Sequence, residues 1–185
     1  MKRFSNSIRA AVAAENWFGA LFLALAIPDV CGALEDPDAR VGDRYKQWFN
    51  RYLKQRYSAS NPYEQLRAID PDVLQGMTVD MVEQLKTMPF PEGTQFTAED
   101  CYRFRCKCLH QGLAQKMGDE KILFTAPRWS GVAGLVHSNA IDGVYQLQID
   151  RFCLDVCEAL DHWIADVRGN EEVQRRMKDL IQVHY

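Results

Sequence analysis

The sequence has no two-cysteine redox motif, no glycine-rich loop of the kind that cradles phosphates, no internal repeat and no low-complexity tract. Dithiol redox chemistry, phosphate-loop nucleotide binding and repeat architecture are therefore poor starting points. Nor is there an excess of positive charge. Lys and Arg number 22 against 25 Asp and Glu, a net charge of -3, so no global basic field announces a nucleic-acid binder. The longest apolar run, residues 17–27, is too short to span a bilayer, and Glu15 and Asn16 precede it where a signal peptide would carry its basic end. No membrane partner is expected, and a reducing cytoplasm is the expected compartment.

What is present is an ordinary globular composition, 47% hydrophobic and 25% charged over 185 residues, which suits one domain. Helical periodicity dominates. Residues 4–14 fit a helix, Asn16 is placed to cap a second one from about Trp17, and Pro28 is expected to kink or break that helix near Ile27. Tyr45, Trp48, Phe49, Tyr52 and Leu53 form one apolar stripe in a helix over 43–57, whose other faces carry Arg44, Lys46, Arg51, Lys54 and Arg56. Residues 58–96 read as a surface insertion with one helical piece at about 71–87. Thr97 with Glu99 and Asp100 opens a helix that Gly112 or Gly118 ends. Short β-like runs at 121–125 and 144–149, with residues 131–137 between them, predict a small hairpin or ribbon. A helix from Asp150 and a short polar one over 171–183 complete the chain.

The helix after Thr97 contains Cys101-Tyr102-Arg103-Phe104-Arg105-Cys106-Lys107-Cys108-Leu109-His110-Gln111-Gly112. Cys106, Cys108 and His110 alternate, and on a helix successive members point about 160° apart, so they cannot converge on one ion. No metal and no cofactor is expected. The six cysteines sit at helical spacings in apolar stripes, as small buried hydrophobes do. On the helical wheel Arg103, Lys107 and His110 share the polar side, but Arg105 falls within the apolar arc of Cys108, Phe104, Leu109, Tyr102 and Leu113. An isolated buried guanidinium is costly, so Arg105 needs a carboxylate, an interface or an anionic ligand. Asp29 and Glu35 are the expected structural partners; a phosphate at a subunit junction is the functional alternative.

Arg105, four residues and His110, followed by Gln111-Gly112, resemble the RxxxxH motif of the HEPN superfamily. The resemblance implies a mainly α, HEPN-like helical bundle that dimerises with two motif helices facing each other. In active relatives it implies metal-independent RNA cleavage, of the kind found in prokaryotic defence or toxin systems. Arg105 would then hold the scissile phosphate and His110 would move protons as the ribose 2′-hydroxyl attacks, roles that suit a bidentate donor and an imidazole. Arg103, Lys107, Arg44, Lys46 and Arg51 would steer the RNA backbone. Cys106 stands where active members commonly carry asparagine or aspartate. A non-catalytic helical dimerisation or interaction module, or a nucleotide-binding module, stays open, with Arg105 and His110 structural. His137, His162 and His184 read as surface or packing histidines.

Overall fold

The computed structural model of the chain describes residues 1–91, 93–115, 121–127 and 137–181. Gly118, the run 131–136, His184 and the last residues of the expected terminal helix lie outside the described residues. The described residues form α1 (Lys2–Ala13), α2 (Trp17–Glu35), α3 (Val41–Tyr52), α4 (Lys54–Tyr57), α5 (Pro62–Ile69), α6 (Pro71–Gln75), α7 (Val79–Thr87), α8 (Ala98–Gln111), β1 (Ile122–Thr125), β2 (Asn139–Ile141), β3 (Val144–Gln148), α9 (Ile149–Asp166) and α10 (Glu171–Lys178). Among the described residues the fold is mainly helical with one small sheet.

α2 is the hub: α1, α3, α8, α9 and α10 all pack on it. Asn16 caps it by accepting the Gly19 N–H at 3.1 Å. Of the kink or break expected at Pro28, the break does not occur, and the helix runs on to Glu35. Proline inside a helix costs about 3 kcal/mol. Burying Leu21, Leu25, Ile27 and Leu34 returns about 1.5–3 kcal/mol each, which outweighs that cost. At 19 residues α2 is long and apolar enough to cross a membrane by length and composition, more than the 17–27 run alone suggested. Here about half of it is buried within the fold, under Ile8, Phe49, Phe104 and Trp163 among others.

The basic helix is shorter than its pattern. α3 ends at Tyr52, and Leu53, with φ -120°, separates it from the single turn of α4. The region 58–96 holds three helices where one was expected: α5, α6 and α7 bury no residue fully and pack on one another, with α5 against α4. Asn61, Asp70 and Thr78 cap them.

α8 begins with a reciprocal cap, in which Thr97 accepts the Asp100 N–H and Asp100 accepts the Thr97 N–H at 2.9 Å. It ends at Gly112, whose φ of 69° lies in the left-handed region that glycine adopts without strain. The expected ribbon is a three-stranded mixed sheet in the order β1-β3-β2, with β1 parallel and β2 antiparallel to β3. Asp142 and Gly143, at φ 51° and 73°, make the two-residue turn joining β2 to β3.

Candidate functional site

The α2, α3 and α8 helices meet around Asp29. Arg44 on α3 donates to Asp29 Oδ1 from Nε at 3.0 Å and from Nη2 at 2.9 Å. Arg105 on α8 donates to Asp29 Oδ2 from Nη2 at 3.1 Å. The three side chains are 15–21% exposed, so they are partly screened by water. Two guanidiniums thus share one carboxylate, and Arg105 Nε is buried with no hydrogen-bond partner. Gly32 lets α3 approach: a Cβ there would sit 2.9 Å from the Cβ of Arg44.

Glu35, the other acid expected beside Arg105, is engaged elsewhere. Its Oε2 accepts Arg51 at 2.8 Å and its Oε1 accepts the Trp163 indole at 2.5 Å, because it lies at the C-terminal end of α2 facing α3 and α9. Beside it is a cavity of about 250 Å³, lined by Gly32, Glu35, Asp36, Arg44, Trp48 and Arg51 among others.

Most of the expected RNA-steering cations are paired with acids. Lys46 and Arg103 both bond Glu99, at 3.1 and 2.8 Å, and hold that carboxyl below the usual carboxylate range. Arg51 pairs with Glu35, and Lys107 donates to Gln115 at 2.8 Å. Acids on α2 and α8 thus face the basic side of α3. His110 is exposed in the last turn of α8. It stands five positions after Arg105, about 140° around the helix, so one chain does not bring the two side chains together.

The cysteines are all free; five are buried and Cys106 is half-buried, its Sγ 3.9 Å from Arg105 Nη1. Burial raises the Cys101 thiol to about 12, despite the bond with Tyr45 at 3.4 Å. Among the described residues no group of three or more His, Cys, Asp or Glu is placed to hold a metal ion.

A second polar cluster escaped the sequence reading. Tyr57 donates to Asp155 Oδ2 at 2.7 Å, and His137 Nε2 lies 3.2 Å from the Tyr57 hydroxyl and 3.7 Å from Asp155. The Gln148 N–H donates to His137 Nδ1 at 3.2 Å, which places the proton of the neutral ring on Nε2. Arg56 joins Asp155 to Glu158, at 2.5 and 2.6 Å. Burial acts to raise the Asp155 carboxyl, but the bonds from His137 and Tyr57 and the Arg56 charge outweigh it and hold the group below its ordinary value. Burial, then the Asp155 charge, pushes the Tyr57 phenol well above its own. Of the surface or packing roles expected for the histidines, His137 therefore takes the packing one, as a buried member of a polar network, whereas His162 is exposed. The one sequence signal was Asp155 itself, an acid between Phe152 and Val156 on the buried stripe of α9. No family model, no curated protein and no solved structure matches the chain.

Proposed function

We propose that this chain is a HEPN-like, metal-independent RNA-cleaving or RNA-binding protein that works as a homodimer, of the kind found in prokaryotic defence or toxin systems. The observation that carries this reading is the sharing of Asp29 by Arg44 and Arg105. One carboxylate offsets only one of two guanidinium charges, and Arg105 Nε remains without an acceptor. A phosphodiester, with one negative charge and two free oxygens, supplies both missing items.

His110 requires a second copy. A two-fold axis that sets two α8 helices face to face brings the histidine of one protomer towards the arginine of the other. In that cleft the imidazole takes the proton of the ribose 2′-hydroxyl as its oxygen bonds to phosphorus. The bond from phosphorus to the 5′-oxygen breaks, that oxygen takes a proton from water or from an imidazolium in the cleft, and a cyclic phosphate is left behind. Arg105 and Arg44 hold the phosphate while charge builds on its oxygens.

Purified protein incubated with single-stranded RNA in EDTA is expected to leave cyclic-phosphate ends. Arg105→Ala and His110→Ala are expected to stay folded, to remain dimeric by light scattering, and to lose cutting. Cutting by both variants at the wild-type rate sinks the reading. The rival, a non-catalytic helical module, is favoured by the Arg105–Asp29 pair itself, which satisfies much of the guanidinium without RNA. It predicts that Arg105→Ala loses stability and that wild type neither binds nor cuts RNA.

A further inference from the structure

A cavity of about 110 Å³ adjoins the Tyr57–Asp155–His137 network, and its walls include Arg56, Gln65, His137, Ser138, Arg151 and Asp155. Its charges are matched with one exception. Arg56 is spent on Asp155 and Glu158, and Asp155 also accepts Tyr57. Arg151 makes no ion pair among the described residues, and its Nε is buried without a hydrogen-bond partner.

Fold stability gives no reason for an arginine here. Arg151 lies in the first turn of α9, where the helix dipole opposes a cation, and a guanidinium nitrogen withdrawn from water without an acceptor is destabilising. The neighbouring wall is also unusual. Ser138 has φ 55°, in the left-handed region that non-glycine residues seldom occupy, and its hydroxyl is 2.9 Å from that of Tyr145. Either hydroxyl of this pair can be the donor, so when a ligand takes the Ser138 proton the Tyr145 hydroxyl can turn to donate in its place. Glu158 takes part of the Arg56 charge from outside the lining, so among the described residues the one charge on the cavity wall without a counter-ion is that of Arg151. The volume is well below the roughly 300 Å³ at which pockets begin to take whole small molecules.

We propose that this cavity is an oxyanion site of phosphate size, with Arg151 as its main ligand and Ser138 as a second donor. The anion is free phosphate or the terminal phosphate of a nucleotide whose nucleoside stays outside. The site uses none of Asp29, Arg44, Arg105 or His110, so it stands apart from the RNA reading.

Titration with inorganic phosphate at constant ionic strength, followed by amide NMR, is expected to saturate in the millimolar range or below, with shifts centred on Ser138, Gln148 and Arg151. Arg151→Gln is expected to weaken binding at least tenfold and Arg105→Ala to leave it unchanged. Ser138→Ala, which keeps the guanidinium, is expected to weaken it severalfold and provides a second variant if Arg151→Gln folds poorly. Adenosine monophosphate in place of phosphate identifies the source: tighter, Arg151-dependent binding points to a nucleotide terminus, and weaker binding to the free ion. Failure of the wild type to saturate, or full retention of affinity by Arg151→Gln and Ser138→Ala, overturns the proposal.

Discussion

Asp29 and Arg105, separated by 76 residues in sequence, are joined by a 3.1 Å ion pair that ties α2 to α8. The other oxygen of the same carboxylate ties α2 to α3 through Arg44, so one side chain holds three helices in register. This arrangement makes the acid more important to the fold than either base.

Asp29→Ala is accordingly expected to destabilise more than Arg105→Ala. Breaking a fully buried pair costs about 3–5 kcal/mol, and partial exposure here reduces that to about 2 kcal/mol. Urea midpoints of the two variants give the comparison. Equal losses would show that the second guanidinium finds another partner. If the RNA reading holds, Asp29→Ala that remains folded should also bind RNA more tightly, because its carboxylate no longer competes with phosphate.

Gly32→Ala tests the approach of α3 to α2. Alanine is favoured over glycine within a helix by about 1 kcal/mol. The new Cβ, however, would lie 2.9 Å from Arg44 Cβ and 3.1 Å from the Arg44 carbonyl oxygen, and a backbone atom cannot swing aside. The clash wins, with a net loss of about 1–2 kcal/mol expected in chemical denaturation. A gain in stability would mean that the helices separate without cost.

Much of this architecture was legible in the sequence. Asn16, Thr97 and Gly112 mark helix ends through local chemistry that needs no distant partner. The break that Pro28 allowed does not occur, because its effect is local while the burial that overrides it is tertiary. The split of 71–87 and the helix at 62–69 were hidden because those segments bury little and their periodicity is faint. Asp142-Gly143, by contrast, is a local turn signal that the sequence does carry. At the candidate site, the misplacement of Arg105 on its wheel pointed to an acid on the early helices. That Arg44 shares the acid, and that Glu35 is taken by Trp163, depends on how helices cross, which spacing along one helix does not encode.

Asp155 supplies a pH test. Its folded pKa lies below the ordinary aspartate value, so the folded state releases this proton more readily than the unfolded chain does. The resulting stability is present above about pH 4 and is lost as pH falls through the folded value. Asp155→Asn should cost about 3 kcal/mol near neutrality, and the gap to wild type should narrow under acid. Parallel urea titrations from neutral to acid pH measure it; a gap independent of pH would assign the loss to packing.

Thiol labelling separates Cys106 from the rest. Cys106 is half-buried, while the other five cysteines are buried, with burial raising their thiols. One equivalent of a disulfide reagent is expected to react quickly with the native protein and five more only on unfolding. Rapid reaction of several thiols would show that the core opens locally. Labelled Cys106 carries its adduct beside Arg105, so if the RNA reading holds, cutting should fall with the same time course.

The backbone of Phe96 donates to the carbonyl of Tyr57 at 2.9 Å, and the Gln95 side chain donates to the carbonyl of Ala59 at 3.0 Å. The chain therefore leaves the helical core and returns to it through one gate, having made three small helices in between. Segments with adjoining ends are the natural places for evolution to lengthen, replace or discard material, since a short bridge can close the gap. Here such pruning would not be silent. Gln65 and Ile69 belong to the excursion and wall the Arg151 cavity, so a chain trimmed at this gate would keep its core and its α8 helix but expose that arginine to solvent.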